Sequence, residues 1–154
     1  MKPSKEYWVL DIINTASDEG EDKGVKGKLK MEKLSTLVRE NIDEQERPEW
    51  SLISDFRGPR DPGLSRLLAS FDDLDIVELE EMRDQTLLRR ITKKGKRYFK
   101  SMDRFHKKVN PDFEEKKERV EKNAIRENID KSGNELVETE EIQELKDNVL
   151  GDEI

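Results

Sequence analysis

Apolar residues recur at one-turn spacing in four segments of the first 110 residues, and this pattern predicts four helices. The first helix covers residues 4–16, and the second follows Gly27 and reaches Ile42. The third is short and covers residues 64–71, and the fourth spans 93–109 behind Thr92. A threonine in that position can accept a hydrogen bond from a free backbone N–H of the helix, so Thr92 is a predicted N-cap.

Between these helices the pattern changes to short apolar runs with turn residues, which predicts strands. Residues 50–56 alternate and end at a glycine- and proline-rich loop, 58–63. Residues 76–79 and 87–91 flank a polar turn at 83–86, which is the pattern of a β-hairpin. The chain is therefore expected to be mainly α with a small antiparallel β-sheet, an α+β fold.

The last 44 residues differ from the rest because their apolar positions are sparse. A long charged helix is predicted over 112–129, where Asp112 and Glu115 have capping-box spacing. The sequence at 132–134 interrupts it, and a final amphipathic stretch covers 142–149. We therefore expect a domain at 1–110 and an acidic helical extension at 111–154, which either dimerises or is partly disordered.

Charge is distributed unevenly along the chain. The formal net charge is −7, but residues 51–110 carry 14 basic and 10 acidic side chains, whereas residues 111–154 carry 7 basic and 15 acidic ones. The segment 89–108 has ten cations and only Asp103 as an acid. Because salt screens charges beyond about 10 Å, such a segment attracts polyanions even in an acidic protein.

The predicted helix 93–109 has two faces when its residues are placed at 100° intervals. One arc contains eight cations and no acid: Lys93, Lys94, Lys96, Arg97, Lys100, Arg104, Lys107 and Lys108. The other contains the apolar residues Tyr98, Phe99, Met102, Phe105 and Val109, which are expected to be buried. A solubilising face normally mixes signs, so a single-sign face favours an anionic partner over simple solvation. The acidic extension is one such partner within the molecule.

Composition excludes several classes of function. The chain has no cysteine, so disulfides, thiolate metal sites and cysteine nucleophiles are excluded. It has one histidine, so a zinc site would need mostly carboxylate ligands and serine–histidine hydrolysis would depend on His106 alone. His106 is expected to be a structural residue, and Trp8 and Trp50 are expected to be core anchors. The sequence contains no long apolar run that would indicate a membrane span or a secretory signal. We expect a cytoplasmic protein that is not an enzyme and needs no cofactor.

The predicted order, helix–helix–strand–helix–strand–strand–helix, is that of a winged helix-turn-helix domain. Four segments carry a family resemblance: 27–34, 56–68, 74–77 and 90–95. These segments resemble the phage-associated, Panacea-type antitoxin-like family of archaea and bacteria. In chain order, they are similar to its glycine-led second helix, its Gly-Pro element with the third helix, its step into the hairpin and its Thr-x-x-Gly entry to the last helix. The last of these segments also resembles PadR-type and MarR-type repressors.

The resemblance implies DNA binding and transcriptional control by a homodimer of archaeal or mobile-element origin, with the third helix in a major groove. The candidate contacts lie on that helix and around it, on the returning strand, and on the cationic arc of the helix 93–109. They are Arg57, Arg60, Ser65, Arg66, Ser70, Arg89, Arg90, Lys93, Lys94, Lys96, Arg97, Lys100, Arg104 and Lys107.

A second interpretation uses the same fold without DNA. The third helix ends in Asp72 and Asp73, and the hairpin carries Glu78, Glu80 and Glu81. Carboxylates there would repel a phosphate backbone. A degenerate winged helix that binds a protein, as an antitoxin or an adaptor, is therefore the alternative hypothesis.

Overall fold

The computed structural model describes residues 2–55 and 58–146. It confirms the α+β class, with mostly helices and one three-stranded antiparallel sheet. The α-helices are α1 Lys5–Glu19, α2 Lys28–Asn41, α3 Leu64–Asp73, α4 Lys93–Val109, α5 Phe113–Val120, α6 Gly133–Val137 and α7 Glu140–Leu145. The strands are β1 Val25–Lys26, β2 Val77–Glu81 and β3 Leu87–Ile91. A 3₁₀ helix covers Glu44–Glu49 and a π-helical turn covers Glu121–Arg126.

The core is built around α1, which contacts the sheet, α2, α4 and the π-helical turn. The Ser4 hydroxyl accepts a hydrogen bond from the backbone N–H of Tyr7, which caps the helix. Both faces of α1 are then buried, with Trp8 and Ile12 completely covered. Trp50 packs into the same cluster, so the prediction that both tryptophans are core residues is confirmed.

The sheet has the order β1–β3–β2, in which the predicted hairpin pairs Val77 with Ile91 and Glu81 with Leu87. The predicted strand at 87–91 has the observed boundaries. Sequence analysis missed β1, which pairs with β3 through Val25 and Arg89. A two-residue strand is too short to show an alternating pattern, and only its long-range partner makes it a strand.

The predicted strand at 50–56 is wrong over its described part, 50–55, and residue 56 lies outside the described residues. In place of a strand, 50–55 contains an isolated bridge, in which the backbones of Ile53 and Arg60 exchange hydrogen bonds of 2.9 and 3.0 Å. An antiparallel ladder would next need the N–H of Pro62, which proline lacks. The segment is held instead by Lys33 of α2, whose ammonium donates to the carbonyl of Pro59 at 2.8 Å.

The described part of the extension packs into the same core as the first 110 residues. Eight of its described apolar side chains are buried, and all but Val137 belong to the core cluster: Phe113, Val120, Ala124, Ile125, Ile129, Leu136, Val137 and Ile142. They lie against α1 and α2, so the sparse apolar positions of this segment are those of a helix packed on one side. Leu145 is half-buried, and Val149 lies outside the described residues.

The predicted long helix over 112–129 is divided. It consists of α5 and the π-helical turn, followed by turns up to Lys131. The side chain of Asp112 makes no capping hydrogen bond. The capping box is found at Ser132 and Glu135 instead, where each side chain bonds the backbone N–H of the other residue at 3.1 Å. The predicted interruption at 132–134 is therefore the start of α6.

Helix α4 is joined to the sheet at its first turn. The Thr92 hydroxyl accepts a hydrogen bond from the N–H of Gly95 at 2.9 Å, which confirms Thr92 as the N-cap. The same hydroxyl donates to the carbonyls of Asp75 and Ile76. A Cβ atom on Gly95 would lie 2.1 Å from the Ile76 carbonyl oxygen, so only glycine permits this close approach.

We predict that Gly95→Ala destabilises the protein although alanine favours helices. The helix propensity gain of about 1 kcal/mol is smaller than the cost of forcing backbone apart, about 1–3 kcal/mol and occasionally more. Urea unfolding should show a lower midpoint for this variant. Ser101→Ala, an exposed site on the same helix, should change stability by only a few tenths of a kcal/mol. Equal stability of Gly95→Ala and the parent would contradict the contact.

Candidate nucleic-acid interface

The cationic side of α4 faces solvent along its whole length. Six of its eight cations form no ion pair with any residue in 2–55 or 58–146: Lys93, Lys94, Arg97, Lys100, Arg104 and Lys108. All six side chains are exposed. Like charges placed three and four residues apart on one helix repel each other. The six cations are therefore a surface that an anionic partner would stabilise, and we call them the basic face.

The other two cations of α4 are engaged within the molecule. Lys96 forms an ion pair with Asp18 of α1. Lys107 lies 3.1 Å from Asp103 and 3.7 Å from Glu114, and these carboxylates raise the pKa of its ammonium group. Both lysines were predicted DNA contacts, and their charges are already partly neutralised.

The single acid of α4 points inward. Asp103 accepts hydrogen bonds from the Tyr7 hydroxyl at 2.9 Å and from the Lys117 ammonium at 2.6 Å. Partial burial opposes ionisation of this carboxyl, but the hydrogen bonds from Lys117 and Tyr7 outweigh it and lower the pKa of Asp103. Asp103 thus joins α4 to α1 and α5, and the basic face contains no acid of its own helix.

The apolar side of α4 is only partly buried, which corrects the sequence prediction. Phe99 and His106 are covered, and their rings stack on Tyr7 and Phe113 respectively. Tyr98, Phe105 and Val109 are 36%, 44% and 43% exposed. Because Gly95 and Asp103 both turn inward, the buried arc is rotated by about 50° from the predicted one.

The three exposed residues, which we call the apolar stripe, lie beside the basic face on the same helix. The Tyr98 hydroxyl donates to Glu6 of α1 at 2.6 Å. Phe105 and Met102 line a shallow groove of about 330 Å³ next to Ser4. Sequence analysis missed this stripe because periodicity gives the width of the apolar arc of a helix but not how the helix is rotated about its axis relative to the core.

Helix α3 presents three predicted contacts to solvent. Ser65, Arg66 and Ser70 are exposed on one side of the helix, and Ser70 donates only to the carbonyl of Arg66. Before the helix, Arg60 is paired with Asp55 at 2.6 Å, so its charge is neutralised. Arg57 lies outside the described residues.

The returning strand β3 contributes less positive charge than predicted. Arg90 is paired with Glu80 and lies 3.8 Å from Glu78, both on the neighbouring strand β2. Arg89 is half-buried, and burial lowers the pKa of its guanidinium although Asp72 opposes this. The surface of α3 and the hairpin is therefore acidic, and the predicted site residues do not form one continuous basic surface.

Two kinds of site are absent from the described residues. Among residues 2–55 and 58–146, no group of three or more histidine and carboxylate side chains is placed to hold a metal ion. In the same ranges no helix is long and apolar enough to cross a membrane. His106 stacks on Phe113 and meets Tyr7 edge-on, and burial lowers the pKa of its imidazole, which agrees with the structural role predicted for it.

Comparison with family models, with curated proteins and with solved structures finds no match to this chain.

The hydrogen bond between Tyr98 and Glu6 predicts a measurable titration. The acceptor Glu6 raises the pKa of Tyr98 to about 12, and burial raises the pKa of the other tyrosine, Tyr7, still further. The bond therefore stabilises the fold below about pH 10, where the unfolded tyrosine ionises, and this stability is lost as the pH rises towards 12. Glu6→Ala should produce tyrosinate absorbance near pH 10 while the protein is folded. A parent that already titrates there would contradict the bond.

Proposed function

We propose that this protein is a cytoplasmic, DNA-binding transcriptional regulator of the winged helix-turn-helix type that acts as a homodimer. The observation that carries the proposal is the basic face, six exposed cations of α4 without an ion-pair partner among the described residues. Double-stranded DNA carries one negative charge per roughly 1.7 Å of helix axis, so it is the polyanion whose charge density fits a row of cations along a helix.

The arrangement of elements supports the winged-helix part of the proposal. The order is α1, β1, α2, α3, β2, β3 and α4. The short β1 adds to the outer side of the β2–β3 hairpin, giving the sheet order β1–β3–β2. In winged helices this arrangement leaves the helix before the hairpin open to the major groove. Here that helix is α3, whose exposed side carries Ser65, Arg66 and Ser70.

The charge pattern suggests how such a protein would divide its contacts. The basic face would bind phosphates, which gives affinity but no sequence information. Arg66 is the one residue of α3 with a side chain suited to guanine in the major groove. The hairpin, with Glu78, Glu80 and Glu81, would stay away from the phosphate backbone. We therefore expect strong salt dependence and modest sequence preference.

The apolar stripe supports the homodimer. Dimerisation through the extension was one of two alternatives, but its described apolar residues are buried within the same chain and are not free to form a seam. Tyr98, Phe105 and Val109 remain exposed and follow each other at spacings of seven and four residues, which is the spacing of a helix–helix seam. The proposed dimer is therefore formed through α4.

Charge reversal on the basic face tests the DNA proposal. Lys100→Glu/Arg104→Glu should weaken binding to any duplex by about tenfold or more and reduce the slope of log affinity against log salt by about 2, since each phosphate contact contributes about 0.9. Fluorescence anisotropy with a labelled random duplex over a series of salt concentrations measures both effects.

The matched control has the same change in net charge at another place. Lys23→Glu/Lys122→Glu alters two exposed lysines that lie outside α4 and form no ion pair with described residues. This variant should retain most of the affinity and the parent's salt slope. If both double variants weaken binding equally, only the net charge matters and the basic face is not the interface.

A protein-interaction module remains the second candidate, because α3 and the hairpin expose apolar side chains among their acids. Leu74, Leu79 and Leu87 are 54%, 40% and 41% exposed. An acidic surface with exposed leucines fits a basic, apolar protein partner better than it fits DNA. This function predicts no retardation of duplex DNA at micromolar protein and no effect of the charge reversal on α4. Truncating the chain at residue 110 cannot separate the two candidates, since it removes buried core residues.

A further inference from the structure

A cavity of about 570 Å³ lies between the start of α2, the hairpin turn and the start of α6. Its walls are polar and include Lys28, Lys30, Asp22 and Gly133. It is away from the basic face, since no residue of α4 lines it. The cavity is large enough for a ligand of nucleotide size.

The helix that begins at the cavity has an unsatisfied N-terminus. The N-cap Gly27 offers no side-chain acceptor, and the first turn of α2 has no acidic residue. Among the described residues, the backbone N–H groups of Lys28, Leu29 and Lys30 have no hydrogen-bond acceptor. Lys28 and Lys30 add two cations to the positive end of the helix dipole, where cations are unfavourable.

Lys30 is the most unusual side chain of this wall. It is only 3% exposed, yet its ammonium group forms no ion pair or hydrogen bond with the described residues. Burial lowers the pKa of Lys30, although the charges of Asp22, Asp130 and Glu135 oppose this from beyond ion-pairing distance. The ammonium group at the tip of this buried side chain opens to the cavity, where an anion could accept its hydrogen bonds.

The carboxylates around the cavity are mostly engaged with other groups. Asp84 lies 3.0 Å from Lys26, and the Asp130 carboxylate accepts from the N–H of Glu21 at 2.8 Å. The Glu135 carboxylate accepts from the N–H of Ser132 in the capping box. Three of the four acids that line the cavity are thus held in place, which leaves the helix N-terminus and Lys30 as an excess of donors.

The start of α6 packs on the N-terminus of α2 through a glycine. A Cβ atom at Gly133 would lie 3.0 Å from the backbone nitrogen of Lys30 and 3.0 Å from the side chain of Leu29. A larger residue would press on the first turn of α2. Glycine at this position therefore keeps the two helix starts together at one wall of the cavity.

We propose that this cavity binds the phosphate group of a phosphorylated small molecule. The phosphate would accept hydrogen bonds from the free N–H groups at the start of α2 and from the Lys30 ammonium group, and Lys28 would add charge at the entrance. The volume beyond the phosphate would hold the rest of the ligand, with Asp22 available for a hydroxyl or amino group. Such a ligand would be an effector of this protein.

Nuclear magnetic resonance titration of the folded full chain tests the site. Inorganic phosphate, compared with chloride at equal ionic strength, should shift the backbone amides of Lys28, Leu29 and Lys30 to saturation. Adenosine monophosphate should shift the same amides and bind several-fold more tightly, because it fills more of the cavity. Lys30→Met, which preserves the length of the buried side chain, should weaken both by about tenfold or more.

Two controls separate this site from general anion binding. Lys28→Met should weaken phosphate binding less than Lys30→Met does, and it changes only an exposed side chain. Lys122→Met, the same substitution on an exposed surface away from the cavity, should leave phosphate binding unchanged. Lys30→Met should also keep the parent's affinity for duplex DNA, so that failure of the phosphate site and failure of the proposed DNA function are distinguishable.

Several outcomes would overturn the proposal. Amide shifts that do not saturate with phosphate, or that occur equally with chloride, would show that the cavity is not a phosphate site. Shifts by duplex DNA without shifts by phosphate would assign these amides to the DNA surface. Binding of inorganic phosphate without any binding of adenosine monophosphate would contradict a cavity that holds more than the phosphate group of a nucleotide-sized ligand.

Discussion

The rotation of α4 about its own axis is the constraint on which the functional surface depends. Gly95 at the first turn fixes it by lying against the Ile76 carbonyl, and Asp103 fixes it two turns later through Tyr7 and Lys117. Gly95 and Asp103 thus define the buried side of α4, and this determines which of its other side chains are exposed. The basic face must be exposed, and so must the apolar stripe beside it.

A surface ion pair does not by itself remove a lysine of α4 from a possible interface. Lys96 and its partner Asp18 are 37% and 48% exposed, and pairs of this kind contribute about 0–1 kcal/mol. A DNA phosphate could replace Asp18 at small cost, so Lys96 can still join an interface. Lys107 differs because its partner Asp103 is largely covered and is bonded to two other residues. Exchange of that partner would disturb the junction of α1, α4 and α5.

Local patterns could be predicted from the sequence, and long-range ones could not. The boundaries of β3 and α4 follow from apolar periodicity and from the cap at Thr92, which are properties of neighbouring residues. The two-residue β1 depends on Arg89, more than sixty positions later, and the failed strand at 50–56 depends on Pro62. A helical wheel of the sequence predicted the basic face. It could not predict that Phe105 and Tyr98 are exposed, because tertiary contacts set the rotation of α4 about its axis.

The candidate sites were predictable to different degrees for the same reason. Ten cations in twenty residues are conspicuous in a sequence, whereas the alternation of Lys26, Lys28 and Lys30 is a weak signal. What makes Lys30 unusual is its burial beside Gly133, a residue about a hundred positions away. The sequence at 132–134 predicted only an interruption of a helix, because its contact with the start of α2 is a long-range feature.

The two proposed phosphate sites rest on different physics, and this difference separates their functions. Exposed cations on α4 gain affinity mainly by releasing counterions, which makes that affinity fall steeply with salt and depend little on what carries the phosphate. The N–H donors at the start of α2 are fixed in direction by the backbone, so the hydrogen bonds that they would make to a phosphate are directional. The two proposals therefore place selectivity for one small molecule in the cavity and attraction to a long polyanion on α4.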